Sequence, residues 1–226
     1  MAADVDLHRV PGHVAIVGGG IDEASLADVV EGALAIGLRW LTVEVVPTER
    51  WGDPLVESRR AFADAERLLL ARRDALRARG VRVRALGRRE IRVPQRLMRV
   101  VAETEAMTAA NHGMTLTVAL DHDGRVELAD AMAALAAEVR DGRRRASSID
   151  EDALAAHLTT PDLPDPDLIV RTGGDTRTTG FLVWQSAYAE LVFTDARWPA
   201  FGRDDLLEAV AEYQRRERRF GAVEPM

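Results

Sequence analysis

Six short apolar runs rich in β-branched residues constrain the fold of this 226-residue chain more than any other feature. They are Val14–Val17, Leu41–Val46, Val81–Leu86, Leu116–Leu120, Leu168–Val170 and Leu191–Phe193. Most lack strict alternation of apolar and polar residues, which is typical of strands buried on both faces of a parallel sheet. Helical patterns lie between or beside them, at Ala24–Gly37, Val56–Arg79, Pro94–Asn111, Val126–Arg140, from Ile149 onward, and at Arg203–Arg219. The chain is therefore predicted to be α/β, with a mostly parallel central sheet of about six strands flanked by helices.

The composition excludes several classes of protein. A net charge of −7 argues against a nucleic-acid-binding protein. The absence of cysteine excludes disulfides, thiolate metal sites and a cysteine nucleophile. No apolar run approaches the ~20 residues that span a bilayer, and Met1–Gly12 lacks the apolar centre of a signal peptide. We expect one domain over residues 1–226 in the cytoplasm, with at most peripheral membrane contact.

The segment Asp167–Thr194 combines basic, hydroxyl and acidic side chains around a predicted strand. Arg171 follows the apolar run, and ligands of open α/β sheets bind beyond the carboxyl ends of strands. A Gly-Gly turn then lets backbone N–H groups approach an anion, and Arg177 and Thr179 add phosphate donors. Glu190 is suited to magnesium, which prefers carboxylates together with phosphate oxygens. From the residues alone, a diphosphate site and a solvated surface loop remain equally open.

The same segment, continued to Phe201, resembles the signature of the cis-prenyltransferases, the family of undecaprenyl diphosphate synthase. That signature reads D-L-x-I-R-T-(S or G)-G-E-x-R-x-S-N-F-L-L-W-Q-x-A-Y-x-E, followed by F-T and W-P-x-F. Shorter similarities to family motifs occur at His13–Val17, Leu41–Trp51, Gly80–Gly87, Asn111–Arg125 and Arg216–Gly221. The resemblance implies the α/β fold of that family and chemistry on prenyl diphosphates.

The resemblance also implies roles for single residues. Those that correspond to the binding site for the diphosphate of isopentenyl diphosphate are Arg171, Arg177 and Thr179. The counterpart of Glu190 helps to bind magnesium, and Arg219 and Gly221 match an R-x-G arm that reaches across a dimer interface. We therefore expect isopentenyl or another prenyl diphosphate as ligand, Mg²⁺ as cofactor, and a homodimer or a heterodimer with a full-motif cis-prenyltransferase.

The family's first motif, M-D-G-N-G-R-W, has no match after the first predicted strand. In the family its aspartate binds magnesium at the allylic diphosphate, and its arginine and loop amides cradle that diphosphate. Here Gly19 stands at the aspartate position and Glu23 at the arginine position. Val14–Leu38 contains four acids and no basic residue, and like charges ~4 Å apart repel by about 4 kcal/mol at an effective dielectric of ~20. No catalytic residue is therefore assigned, and Asp22 as a relocated magnesium ligand stays open.

Other residues near the predicted site have structural interpretations. Glu44 replaces a family tyrosine and is predicted to face the core at a strand end. His13, at a strand start, is predicted to make a structural hydrogen bond, and His122 to lie in a loop. Trp198 is predicted to be a core aromatic residue.

The sequence thus predicts a cis-prenyltransferase homologue that retains the isopentenyl-diphosphate half-site and acts as the partner subunit of a heteromeric enzyme. Two alternatives remain open. One is a diverged transferase that uses one prenyl diphosphate and an uncharged acceptor. The other is a non-catalytic prenyl-diphosphate-binding protein.

Overall fold

The computed structural model of the protein describes residues 5–47, 54–87 and 93–216. Its strands are β1 (His13–Val17), β2 (Trp40–Val46), β3 (Arg82–Leu86), β4 (Thr115–Leu120), β5 (Leu168–Arg171) and β6 (Glu190–Phe193). Its helices are α1 (Glu23–Ala35), α2 (Pro54–Ala78), α3 (Gln95–Thr108), α4 (Gly124–Arg140), α5 (Glu151–Ala155) and α6 (Arg203–Arg215), with a 3-10 turn at Ala146–Ser148. All six predicted strands are present, each within one residue of its predicted bounds.

The six strands form one sheet in the order β3-β4-β2-β1-β5-β6, and every neighbouring pair is parallel. The predicted fold class is therefore confirmed. Parallel pairing places the carboxyl ends of all strands at one edge of the sheet. In the centre of that edge, Val17 of β1 pairs with Arg171 of β5.

Apolar residues cover the sheet on both faces, as the lack of alternation predicts. Val14 and Ile16 belong to the larger core, which packs against α1, α2, α3 and α6. Ala15 and Val17 point the other way, into a smaller cluster completed by Leu86, Ala119, Ile169, Phe181 and Leu182. Alternate residues of one strand thus enter two different cores. No helix among the described residues is long and apolar enough to cross a membrane, and the cytoplasmic location stays a prediction.

Local capping sets the bounds of α1. The Asp22 carboxylate accepts the Ser25 N–H at 2.8 Å, and the Ser25 hydroxyl lies 3.2 Å from the Asp22 N–H, which forms a capping box. These hydrogen bonds from Ser25 lower the pKa of Asp22. At the other end, Gly37 has a φ of +72°, and the Leu38 N–H reaches back to the Ala33 carbonyl oxygen at 2.9 Å, as in a Schellman motif. The helix therefore ends before the predicted Gly37.

His13 makes the structural hydrogen bonds that the sequence predicts. Its Nδ1 lies 2.6 Å from the Pro164 carbonyl oxygen, which can only accept, so Nδ1 carries the proton. Its Nε2, 2.8 Å from the Thr42 hydroxyl oxygen, is then the acceptor. Burial lowers the pKa of His13 from 6.5 to about 4. The neutral imidazole therefore holds β1 to β2 and to the loop before β5.

This burial predicts a loss of stability in weak acid. As the pH falls from about 7 to about 5, the unfolded chain takes up a proton at position 13 while the folded chain does not, at a cost of about 2 kcal/mol. His13→Gln should remove that part of the pH dependence. The difference in free energy of unfolding between wild type and His13→Gln should therefore be smaller by about 2 kcal/mol at pH 5 than at pH 7. Urea unfolding at both pH values measures the effect. His112→Gln, at an exposed histidine, should leave the wild-type pH dependence intact, and equal pH dependence of wild type and His13→Gln would contradict the assignment.

Candidate functional site

A cleft of about 650 Å³ opens at the carboxyl edge of the sheet. Its walls come from the turn after β1, the end of β2, the turn after β5 and the segment after β6. This is where ligands bind in open α/β sheets. The charged residues that line it are Glu44, Arg171, Asp175, Arg177 and Arg197. Three arginines against two carboxylates favour an anionic ligand.

The three residues predicted to hold a diphosphate all line this cleft. Arg171, at the end of β5, lies 3.3 Å from the Asp175 carboxylate through its Nη2. Arg177 donates to the same carboxylate through Nη2 at 3.0 Å and Nε at 3.1 Å. The hydrogen bonds from Arg177, assisted by Arg171, hold the pKa of Asp175 well below its usual range. Asp175 therefore clamps both guanidinium groups at the cleft, while Thr179 receives the Phe181 N–H at its hydroxyl oxygen.

Two buried donors that line the cleft lack a partner within the described ranges. They are Nε of Arg171, whose side chain is 12% exposed, and the indole N–H of Trp198, which is 7% exposed. A buried donor without a hydrogen bond is costly, and most such groups in proteins are paired. Trp198 also packs edge-on against Phe201, with ring centroids 5.0 Å apart, so it is a core residue as predicted. Each donor is therefore a buried polar group beside the cleft whose hydrogen bond is not made within the described residues.

In the turn after β5, the two glycine N–H groups that the sequence predicts to approach an anion instead donate to backbone carbonyl oxygens. Gly173 and Gly174 have φ values of +92° and +76°, which favour glycine. The Gly173 N–H donates to Ala196 and the Gly174 N–H to Thr194, both to carbonyl oxygens at 2.9 Å. The expectation that these amides approach an anion is therefore wrong. They instead tie the arginine-bearing turn to the segment after β6.

Protein carboxylates accept from one N–H of the turn after β1 and from one N–H in the first turn of α1. The Gly18 N–H donates to Oε2 of Glu44 at 3.1 Å, and Asp22 caps the N-terminus of α1. Glu44 is 3% exposed, so its predicted burial is confirmed, but it also lines the cleft. Gly19 packs closely, because a Cβ added there would lie 2.9 Å from Cγ of Pro47. This turn is therefore adapted to its own side chains.

The structure does not bring Glu190 to the cleft. Glu190 begins β6 and pairs with Leu168, three residues before Arg171, or about 10 Å along the strand direction. Its carboxylate instead accepts from Arg216 at 3.0 Å. Its metal-binding role stays a prediction, and Arg219 and Gly221 lie outside the described residues.

His122 lies in the loop between β4 and α4, as predicted, and is buried there. It follows β4, is 2% exposed, and meets Phe181 edge-on with ring centroids 5.7 Å apart. Burial lowers its pKa, although the nearby Glu127 and Asp123 carboxylates oppose that shift. His122 does not line the cleft, and its Nε2 lies 3.8 Å from the Glu127 carboxylate.

Three charged residues of the cleft carry no functional prediction from the sequence. Glu44 has only the prediction of a core-facing position, and Asp175 and Arg197 have none. Arg197 follows β6, and Cγ of its side chain lies 3.9 Å from where a Cβ of Gly173 would be. Strand topology could have placed these residues at the cleft, because the carboxyl ends of adjacent parallel strands lie at one edge of the sheet.

The lack of space for a Cβ at Gly19, next to Pro47, predicts that substitutions at these two positions have non-additive effects on the free energy of unfolding. Gly19→Ala should destabilise the protein by about 1–2 kcal/mol, because the added methyl group overlaps the proline ring. In a Pro47→Ala background the clash is absent, so a double-mutant cycle should give a coupling of about 1 kcal/mol. Gly12→Ala, which faces Asp167 instead, should be additive with Pro47→Ala. Additivity of the Gly19 pair in urea unfolding would contradict the close contact.

Comparison with known proteins agrees with this architecture. A sequence model of the family described as "Putative undecaprenyl diphosphate synthase" matches residues 8–221. A trans,polycis-polyprenyl diphosphate synthase, (2Z,6E)-farnesyl diphosphate specific, from Thermobifida fusca is 42% identical over 97% of this chain and 75% of its own length. The decaprenyl diphosphate synthase of Mycobacterium tuberculosis is 36% identical over 95% of this chain and 78% of its own.

A solved structure is similar throughout. Lavandulyl diphosphate synthase from Lavandula x intermedia, crystallised in complex with dimethylallyl diphosphate, superposes with a TM-score of 0.87 at 27% sequence identity. The match covers 95% of this chain and all of that one. With the parallel sheet and the family match over residues 8–221, these similarities show that the chain belongs to the cis-prenyltransferase family.

Proposed function

We propose that the cleft binds the diphosphate of isopentenyl diphosphate or another prenyl diphosphate. The observation that carries this proposal is the convergence of Arg171 and Arg177 on one cleft, where both donate to the Asp175 carboxylate. Guanidinium groups bind phosphate oxygens in pairs of parallel hydrogen bonds. Members of this family bind prenyl diphosphates and often act as dimers.

Binding would be an exchange of anions. In the structure the Asp175 carboxylate accepts from both arginines. A diphosphate offers more oxygens and more negative charge than this carboxylate, so it can take over those donors while Asp175 turns to solvent. The arginines are thus kept in place before the ligand arrives, which lowers the cost of ordering them.

The turn after β1 is poorly suited to a second diphosphate. Glu44 and Asp22 occupy N–H groups there, and Glu23 forms an ion pair with Arg72 at 3.2 Å. These contacts support the proposal that this chain lacks the allylic half of the reaction. We therefore propose a subunit that supplies the isopentenyl-diphosphate half-site to a heteromeric prenyltransferase whose partner carries the full motif.

Magnesium enters this proposal through the carboxylates that can reach a diphosphate. Glu44 and Asp175 line the cleft, whereas Glu190 does not. One carboxylate with phosphate oxygens suits Mg²⁺, so the donor set fits the cation. When bound, the cation would screen the charge of the diphosphate. The predicted role of Glu190 requires a second subunit, and its ion pair with Arg216 puts it at the start of the R-x-G segment.

The two alternative functions have weaker support. The relatives described above are named as diphosphate synthases, and no observation in the described residues points to an uncharged acceptor or to binding without transfer. The heteromeric proposal keeps the diphosphate chemistry of the family.

Binding of isopentenyl diphosphate tests the site directly. Arg171→Ala should weaken binding about 10- to 100-fold, because a charge-assisted hydrogen bond contributes about 1.5–3 kcal/mol. Arg171→Lys, which keeps the charge but loses the fork, should lie between this variant and wild type. Isothermal titration calorimetry measures the affinities. Arg99→Ala, at an exposed arginine of α3, is the matched control, and equal affinities of Arg171→Ala and wild type would refute the site.

Product formation tests the heteromeric arrangement. We expect purified protein given labelled isopentenyl diphosphate, an allylic diphosphate and Mg²⁺ to form no polyprenyl diphosphate alone. Mixing it with a full-motif homologue that carries Arg→Ala in its own isopentenyl-diphosphate site should restore product above either chain alone. Product from this chain by itself would overturn the partner-subunit proposal.

A further inference from the structure

We infer that Arg197 is a third phosphate-binding residue of the cleft and that it makes the site selective for a diphosphate over a monophosphate. The inference rests on the proposed function, because it concerns the second phosphoryl group of the ligand that Arg171 and Arg177 hold. Arg197 lies in the segment after β6 and lines the cleft together with those two arginines.

The backbone holds Arg197 next to the turn that follows Arg171. The Thr194 N–H donates to the Arg171 carbonyl oxygen at 2.9 Å. The Gly173 N–H donates to the Ala196 carbonyl oxygen, also at 2.9 Å. Cγ of Arg197 lies 3.9 Å from the position that a Cβ of Gly173 would take. Because residue 173 is a glycine, it places no side chain of its own between Arg197 and the turn.

The guanidinium group of Arg197 is uncommitted, unlike those of the other two arginines. Arg171 and Arg177 both donate to the Asp175 carboxylate. Within residues 5–47, 54–87 and 93–216, the exposed side chain of Arg197 makes no hydrogen bond or ion pair. An incoming anion can therefore bind Arg197 without displacing a protein carboxylate, whereas at the other two arginines it must replace Asp175.

The pairing with Asp175 indicates how much of a ligand the first two arginines can hold. Both guanidinium groups converge on one carboxylate, and this arrangement suits the oxygens of a single phosphoryl group. The second phosphoryl group of a diphosphate extends beyond that position and needs donors of its own. Among the described residues that line the cleft, Arg197 is the remaining cation, and it borders the glycine turn that precedes Asp175. A diphosphate can therefore engage all three arginines, whereas a monophosphate is held by two.

The charge of the cleft favours the same selectivity. Three arginines and two carboxylates line it, and without Arg197 the opposite charges would be equal in number. A diphosphate carries more negative charge than a monophosphate, so it gains more from the third cation. Because Arg197 is exposed, salt should screen this gain.

Binding of two ligands that differ by one phosphoryl group tests this role. Arg197→Leu should weaken the binding of isopentenyl diphosphate about 5- to 10-fold, because it removes a charge-assisted hydrogen bond at a solvated position. The same change should alter the affinity for isopentenyl monophosphate by less than about two-fold. Arg197→Lys, which keeps the charge, should recover part of the loss. Isothermal titration calorimetry at a fixed Mg²⁺ concentration measures the affinities, directly or by competition, and the effect on the diphosphate should shrink as NaCl is raised.

Two controls separate a role in binding from effects on folding or on overall charge. Arg99→Leu removes the same net charge at an exposed position of α3 that does not line the cleft, and it should bind both ligands as wild type does. Arg197→Leu should keep the wild-type free energy of unfolding in urea, because the side chain it replaces is exposed. If that free energy falls, Arg197→Gln, which keeps a polar side chain, is judged by the same criteria.

Each result supports or overturns the inference. Unchanged diphosphate affinity in Arg197→Leu, or an equal loss of affinity for the monophosphate, overturns it and leaves the site at Arg171 and Arg177 intact. So does a wild-type protein that does not prefer the diphosphate. An equal loss in Arg99→Leu also overturns it, because net charge alone would then account for the effect. If wild type binds neither ligand, the proposed function fails and this inference with it.

Discussion

Parallel pairing of β1 between β2 and β5 is the constraint on which the rest of the site depends. Because the three strands run in the same direction, Glu44, Val17 and Arg171 finish at one edge of the sheet. The cleft exists there because each chain segment must leave the sheet by a turn, and those turns cannot fill the space between them. All five residues of β1 are buried, so this strand is packed on both faces.

Charge pairing within the protein governs what the cleft can accept. Asp175 holds Arg171 and Arg177 together, so the anion-binding groups are paired before a ligand arrives. On the other side of β1, Glu44 and Asp22 take up N–H groups that an anion would need. One half of the cleft thus resembles an anion site occupied by a carboxylate of the protein itself. The other half presents the Glu44 carboxylate beside the turn after β1.

The sequence predicts the sheet well and the site in part, for physical reasons. Burial on both faces demands uninterrupted apolar runs, so all six strands were recognisable, and Arg171 followed from its place after one of them. The position of Glu44 at the cleft was harder to predict. A buried acid at a strand end faces either the core or a cleft, and the arrangement of the neighbouring strands determines which. Glu190 shows the reverse, since a residue that begins a parallel strand lies at the edge opposite to the cleft. The hydrogen bond from the Gly173 N–H goes to Ala196, in the segment after β6. The local sequence around Gly173 does not reveal this distant partner.

A crystal structure of the protein with isopentenyl diphosphate and Mn²⁺ tests the central claim most directly, because anomalous scattering locates the cation. We expect the diphosphate between Arg171 and Arg177, Asp175 displaced from both, and the cation bound to oxygens of that diphosphate. A diphosphate seated instead on the Gly18–Gly20 turn, with Arg171 and Arg177 still paired to Asp175, would contradict it.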